Sequence, residues 1–295
     1  MRYLKFRTSA YDFFAGLHRS LRSFRNAHIG SNFLGWHRVY LWYFERILIR
    51  VGGVPLCYWD STLDFRIEGS GQRNTTMFTS EVVGNGIGMV INGPFRNWPI
   101  PDRNVSLRRE IASFASLMRP QVVDLIMTSN LIRNHSQISN GAGSVGMIDP
   151  DQGTRTSLES EHDNTHVWVG GVMSDATIAP QDPVFWLHHT YIDYVWEKFR
   201  EKLFTLGINP ANDYPGHGGD PHAANTQMVH FYNFSNWWTN ENGYTNLFTQ
   251  FVYTYDEHPT CGNGCGGRGD TNLLYCPTGG TGDQRCVATV VVWSA

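Results

Sequence analysis

Two stretches, His162-Asp163-Asn164-Thr165-His166-Val167-Trp168-Val169-Gly170-Gly171 and Asp182-Pro183-Val184-Phe185-Trp186-Leu187-His188-His189, decide how this 295-residue chain is read. His162 and His166 are four residues apart, so on a helix they share one face and can bind one ion. Gly170-Gly171 predicts the end of that helix. Asp182-Pro183 predicts the start of the next, with Asp as N-cap and Pro at the first helical position. A helix running from there to about residue 204 carries His189 about two turns in.

Working outward, residues 9–26 read as one helix, with Phe13, Phe14, Leu17, Leu21 and Phe24 at helical spacing and His18 inside it. A short loop carries His28. A second apolar-aromatic helix, 33–51, carries His37 near its start and is stopped by Gly52-Gly53-Val54-Pro55. Residues 57–105 lack periodicity and read as long irregular structure. Residues 106–133 read as partly helical and interrupted at Pro120, 134–157 as a Gly/Ser/Asn-rich loop, and 205–260 as mixed. The segment 287–293 reads as a strand. No internal repeat is visible. The expected organisation is one domain over 1–258, with a helical core at about 10–204, followed by a Cys-rich segment over 259–295 packed on it.

Composition narrows the function. The chain is 41% hydrophobic and 14% aromatic, enough for a large core. A net charge of -3 without a basic run points away from nucleic acid and anionic membranes. No stretch approaches the roughly eighteen apolar residues of a membrane span, and the opening residues lack the apolar region of a secretory leader. Cys57 stands alone, whereas Cys261, Cys265, Cys276 and Cys286 crowd the end and read as a disulfide staple with three open connectivities. A structural zinc site is the rival, weakened by the absence of paired C-x-x-C knuckles. Sequons at Asn74, Asn104, Asn134 and Asn233, with the staple, point to a secretory or extracellular setting.

The histidines carry the chemistry. Taken singly, His18 and His37 read as hydrogen-bonded core residues, and His162 with His166 as a common chance pair. Together, His18, His28, His37 and His162, His166, His189 form two three-imidazole sets among aromatics, a donor type that suits copper, zinc, iron or nickel.

Longer motifs sharpen this. His28-Ile-Gly-Ser-Asn-Phe-Leu-Gly-Trp-His37-Arg38-x6-Glu45 resembles the first copper signature of the tyrosinase family. The stretch from His162 through Val167-Trp168-Val169-Gly170-Gly171 to Asp182-Pro183-Val184-Phe185-Trp186-Leu187-His188-His189-x3-Asp193-x2-Trp196 resembles the second. Tyr58-Trp59-Asp60-Ser61-Thr62-Leu63-Asp64, Gly93-Pro94-Phe95-x-Asn97-Trp98 and the Cys-rich end, which is similar to that of animal tyrosinase domains, point the same way. The resemblance covers about residues 10–200.

It implies a mainly α fold, an antiparallel four-helix bundle holding a dicopper centre, with long irregular loops and a few short strands. It places copper A on His18, His28 and His37 and copper B on His162, His166 and His189, with O2 as co-substrate. Two-metal sites hold their ions about 3.5–4 Å apart. The second histidine of the His188-His189 pair is the ligand. By the same resemblance, Asp163 stands where many relatives have Asn, as a proton acceptor for the phenol. Thr154 replaces a water-positioning Glu, while Glu159 and Glu161 stand at a different place on the motif. Ala179 takes a gate position and implies an open entrance. Asn26 replaces a Cys and rules out a thioether to a copper A histidine. Arg38 and Asp193 are expected to pair across helices, and Trp36, Phe185 and Trp186 to pack around the imidazoles. His135, His217, His222, His230 and His258 match no motif and read as surface or loop residues. The implied activity is phenol oxidation, ortho-diphenols to ortho-quinones with O2 reduced to water and with monophenol ortho-hydroxylation as an extension. Its partners would be small phenols or tyrosyl side chains. The competing readings are a haemocyanin-like oxygen carrier and a structural protein that keeps the fold.

Overall fold

A computed structural model describes residues 1–67, 69–141, 144–215, 219, 221–265, 274–277 and 284–289. The chain is mainly α, as expected. Its helices are α1 (Arg2–Arg7), α2 (Ala10–Arg19), α3 (Leu21–Ala27), α4 (Phe33–Arg50), α5 (Ser61–Phe65), α6 (Pro120–Thr128), α7 (Leu158–Val169) and α8 (Val184–Thr205). The strands are short: β1 (Ile87–Met89), β2 (Pro99–Ile100), β3 (Val105–Ser106), β4 (Arg108–Glu110), β5 (Met147–Ile148), β6 (Arg155–Thr156), β7 (Leu274–Tyr275) and β8 (Val287–Ala288). They pair into four two-stranded antiparallel ribbons, β1–β4, β2–β3, β5–β6 and β7–β8.

The chain divides into two compact units, and the division falls inside α7, after Asp163. The first unit (Met1–Trp59, Pro120–Asp163, Asp175–Thr254) is the helical one. In α2 the buried Tyr11, Phe14, Ala15 and His18 fall at helical spacing. The predicted helix over 9–26 is in fact two. Ser20 is extended (φ -70°, ψ 147°), and its hydroxyl accepts from the Ser23 amide at 3.0 Å, so α3 starts anew. Hydrophobic periodicity runs through such a break, because the cap is a local hydrogen bond that the apolar pattern does not register. α4 ends where predicted: Gly52 takes φ 78°, and the Gly53 amide returns to the Leu48 carbonyl at 3.0 Å.

Two other predictions need correcting or refining. Pro120 begins α6 instead of interrupting a helix, since its missing N–H falls where a helix has no use for one. Upstream of it the chain forms β3 and β4. α8 starts at Val184, one residue later than read, with Pro183 at the N-cap and the Asp182 carboxylate accepting from the Val184 amide at 3.0 Å. It packs on α6, whose carbonyl end is closed by the buried ammonium of Lys202, donating to the carbonyls of Ile126 (2.6 Å) and Ser129 (2.9 Å).

The second unit (Asp60–Arg119, Asn164–Ser174, Tyr255–Ala295) holds the β1–β4, β2–β3 and β7–β8 ribbons. Here α7 ends at Gly170 and Gly171, both at positive φ; a Cβ on Gly171 would sit 2.1 Å from the Arg108 carbonyl oxygen, so only glycine fits. Cys261 pairs with Cys276 and Cys265 with Cys286, which settles the connectivity and excludes the zinc alternative. A 15-residue loop closed this way is worth about 3 kcal/mol in chain entropy. Arg285 reaches the Asp60 carboxylate at 3.3 Å and the Thr62 hydroxyl at 3.1 Å, tying this end to α5. Of the expected strand over 287–293, Val287–Ala288 is β8; residues 290–293 lie outside the described residues, as does His217. Cys57 is a free, exposed thiol.

Candidate metal centre

α2 supplies His18, the residue after α3 is His28, and α4 supplies His37. All three are buried. Their ring centroids lie 4.8 Å (18–28), 5.0 Å (28–37) and 5.5 Å (18–37) apart. On the other side, α7 supplies His162 and, one turn on, His166, while α8 supplies His189. In each set the three residues offer ligand atoms within 4.8 Å of one another. The rings of His37 and His189 stack at 4.4 Å, so one member of each set meets the other face to face.

The hydrogen bonds fix which nitrogen each ring presents. Nδ1 of His18, His28, His37 and His166 faces the carbonyl of Ala176 (2.8 Å), Phe24 (3.3 Å), Phe33 (2.9 Å) and Met173 (2.9 Å). A carbonyl only accepts, so each Nδ1 carries the proton and each Nε2 is left with its lone pair. Those lone pairs converge: Nε2 of His18 and His37 are 3.3 Å apart, and Nε2 of His162 and His189 3.0 Å apart. Nitrogens bound to one ion at about 2.0 Å in tetrahedral array are about 3.3 Å apart. Burial, and then the neighbouring His28, His18 and His162, hold the His37 pKa well below the usual imidazole value, which keeps that ring neutral. Facing lone pairs on neutral imidazoles repel each other unless a cation lies between them, so this donor set fits a soft or borderline metal ion in each cluster.

Neighbouring residues hold the rings. Phe185 stacks on His189 at 3.9 Å, and Phe33 lies 4.9 Å from His37 and 4.8 Å from His162. Trp36 packs edge-on against His18 at 5.7 Å. His188 is fully buried and turned to the other side of α8, with Nε2 at 3.2 Å from the His162 carbonyl. Asp163 is exposed, yet its Oδ1 lies 3.0 Å from His162 Nδ1. Ala179 is fully buried in a 3-10 turn, Ala179–Gln181, without surface of its own at an entrance.

The expected Arg38–Asp193 pair forms at 2.6 Å and belongs to a larger network. Arg38 also reaches Glu197 at 2.8 Å and lies 4.0 Å from the Trp196 ring, and the Tyr253 hydroxyl donates to Asp193 at 2.7 Å. Arg38 follows His37, and Asp193 lies one turn beyond His189, so the network pins α4 to α8 next to both ligands. Asn26, in the place of the thioether cysteine, donates to the Pro221 carbonyl at 2.8 Å and accepts from the Val229 amide at 2.9 Å, which fixes the chain just before His28.

Two residues emerge that sequence reading misjudged. Glu159, set aside for its place on the motif, is 2% exposed; Oε1 accepts from the Ile29 amide at 2.6 Å, and Oε2 is buried without a partner among the described residues. Burial pushes its pKa up to about 8 against the opposing hydrogen bond from Ile29. Its signal was available, since it sits three residues before His162 on the same helix. His135, expected at the surface, is fully buried and bonded through Nδ1 to Asp213 at 2.8 Å. A polar-looking loop position concealed a buried imidazole held by a carboxylate hydrogen bond.

Fold and site together define a class: a helical protein with two adjoining all-imidazole metal clusters. Residues 8–202 match the common central domain of tyrosinase. The chain is 46% identical over 288 residues to tyrosinase-like protein 1 of Margaritifera margaritifera, covering 96% of this chain and 55% of that protein. It is 32% identical over 236 residues to a tyrosinase of Streptomyces antibioticus, covering 74% and 80%. The chain belongs to the tyrosinase family. Family members hold two copper ions through such histidine clusters, here His18, His28, His37 and His162, His166, His189. A functional unit of octopus hemocyanin superposes with a TM-score of 0.59 at 18% identity (87% of this chain, 63% of that one), and recombinant mushroom tyrosinase with 0.58 at 18% (86% and 56%), which establishes a shared fold. The chain spans about half the length of the molluscan relatives it matches. Among the described residues no helix is long and apolar enough to cross a membrane.

Proposed function

We propose that this chain is a copper-dependent phenol oxidase that converts ortho-diphenols, free or as modified tyrosyl side chains, to ortho-quinones. The observation that carries the reading is the convergence of buried Nε2 lone pairs in two clusters joined by the stacked His37 and His189 rings. The bound copper pair supplies two adjoining one-electron centres. Two diphenols together release four electrons and four protons to one O2, giving two quinones and two waters.

The chain's own residues hold the rings and handle protons. Carbonyls of four turns lock the imidazole tautomers, and the carboxylate of Asp163 does the same for His162. Glu159, with a pKa of about 8, can take a phenolic proton as the pH approaches 8, where its carboxylate form is populated. Asp163 is a second acceptor, nearer to solvent. The copper-binding part is taken as 1–258 and the stapled segment as 259–295. The two disulfides and four sequons favour a secretory or extracellular setting.

Copper-loaded protein should consume O2 with a catechol and form the quinone; no uptake with any catechol overturns the reading. Reversible oxygenation without turnover would instead mark an oxygen carrier. Monophenol hydroxylation is tested alongside: Asp163→Asn should change the monophenol-to-diphenol rate ratio, and an unchanged ratio removes Asp163 from proton transfer.

A further inference from the structure

One face of the helical unit is unusually apolar. Phe234 and Trp237 are 43% exposed, Leu247 and Val252 49%, and Phe251 78%. Trp237, Leu247 and Val252 line a groove of about 330 Å³ together with Ser235, Trp238 and Phe248. A patch of this kind on an isolated domain is normally covered by something. The same stretch contains a sequon that the proposed activity does not use: Asn233-Phe234-Ser235.

We propose that Asn233 carries an N-linked glycan whose first N-acetylglucosamine lies over this groove, against Trp237. The local geometry is suited to it. Asn233 ends the 3-10 turn Phe231–Asn233 and is exposed; its backbone amide bonds to the His230 carbonyl at 3.2 Å, and its side chain takes no hydrogen bond among the described residues. The sequon's third residue, Ser235, itself lines the groove, so a sugar attached at Asn233 starts at its rim. The apolar C–H face of a pyranose suits an exposed indole, while its hydroxyls stay in water. Trp237 meets Trp238 at 4.6 Å, and Trp238 stacks on Phe248 at 5.8 Å, which makes the floor of the groove a continuous aromatic surface. Asn134 is the contrasting case: its side chain caps the turn His135–Gln137, taking the N3 amide, and also accepts from the Ser136 hydroxyl at 2.7 Å.

The inference rests on the secretory reading above, and the test separates the two. The full chain is secreted from insect cells behind an added leader, and each sequon is mapped by peptide mass spectrometry with and without N-glycosidase. Acrylamide quenching of tryptophan fluorescence is read before and after deglycosylation; at 43%, Trp237 is the most exposed tryptophan among the described residues. The expected result is a glycan at Asn233 and a rise in quenching on its removal, with the rise lost in Trp237→Phe. Asn233→Gln and Ser235→Ala should each start at the higher quenching without enzyme treatment. Glycans at Asn74 or Asn104 with Asn233 bare overturn the inference and leave the secretory reading standing. No glycan at any sequon overturns both. Occupancy at Asn233 with quenching unchanged overturns the covering role, and concentration-dependent dimerisation that persists with the glycan in place would assign the groove to a second copy.

Discussion

The two histidine clusters reach similar geometry by different routes. The second draws two ligands, His162 and His166, from successive turns of α7, and needs only α8 to add His189. The first draws each ligand from a separate element, α2, the chain after α3, and α4. Helical repeat alone fixes two-thirds of the second cluster, whereas the first exists only when three elements are correctly placed. The first cluster therefore depends on supports outside its own helices: the Ser20 cap, the anchoring of Asn26, and the hydrogen bond from Ile29 to Glu159.

The largest expected effect lies on the second cluster. His189→Ala should remove one of two bound coppers and abolish catechol oxidation, while His188→Ala, whose ring bonds a carbonyl instead, should keep both ions. Metal analysis with parallel activity decides it, and equal copper loss from the two variants would mean that the wrong histidine has been assigned.

Next is the network that ties the clusters together. Arg38→Ala removes the guanidinium that the buried Asp193 and Glu197 share, while Asp193 keeps the Tyr253 hydroxyl and Glu197 keeps Arg200 at 3.2 Å, and should cost about 3 kcal/mol in urea unfolding of the metal-free protein. Arg38→Lys should recover only part, because an ammonium cannot bridge both carboxylates in the guanidinium's planar geometry. A loss below 1 kcal/mol would show that the clusters are positioned independently.

Glu159 offers a pH test. Its pKa lies near 8 in the folded state and in the ordinary carboxyl range when unfolded. Between those values the folded chain holds the extra proton, so stability is fully present at low pH and falls as pH rises towards 8. Glu159→Gln removes that slope. The stability of the variant relative to the native chain, both metal-free, should rise from pH 5 to pH 8 by a few kcal/mol, of order 3–4. A flat difference would mean that the carboxyl titrates normally.

The smallest effect distinguishes the clusters most directly. Ser20→Ala removes the α3 cap and should cost about 1 kcal/mol. Copper affinity should weaken at the first cluster and stay unchanged at the second, as read by stepwise copper titration. Equal weakening at both would erase the contrast.

The sequence by itself determined the helix that carries His162 and His166, the Asp182-Pro183 start of α8, the Gly52-Gly53 stop, and the two sets of three histidines, because each is written in short-range spacing and in residue types with strong local preferences. It did not reveal the break at Ser20, the role of Pro120 as a helix start, the cysteine pairing, or the burial of His135. Nor did it show that Glu159 turns from α7 to hold the Ile29 amide. Those depend on which groups lie opposite one another across the fold, and burial and partner, not residue type, set whether a carboxyl is a solvated surface charge or a proton acceptor near pH 8. Only the tertiary structure decides that.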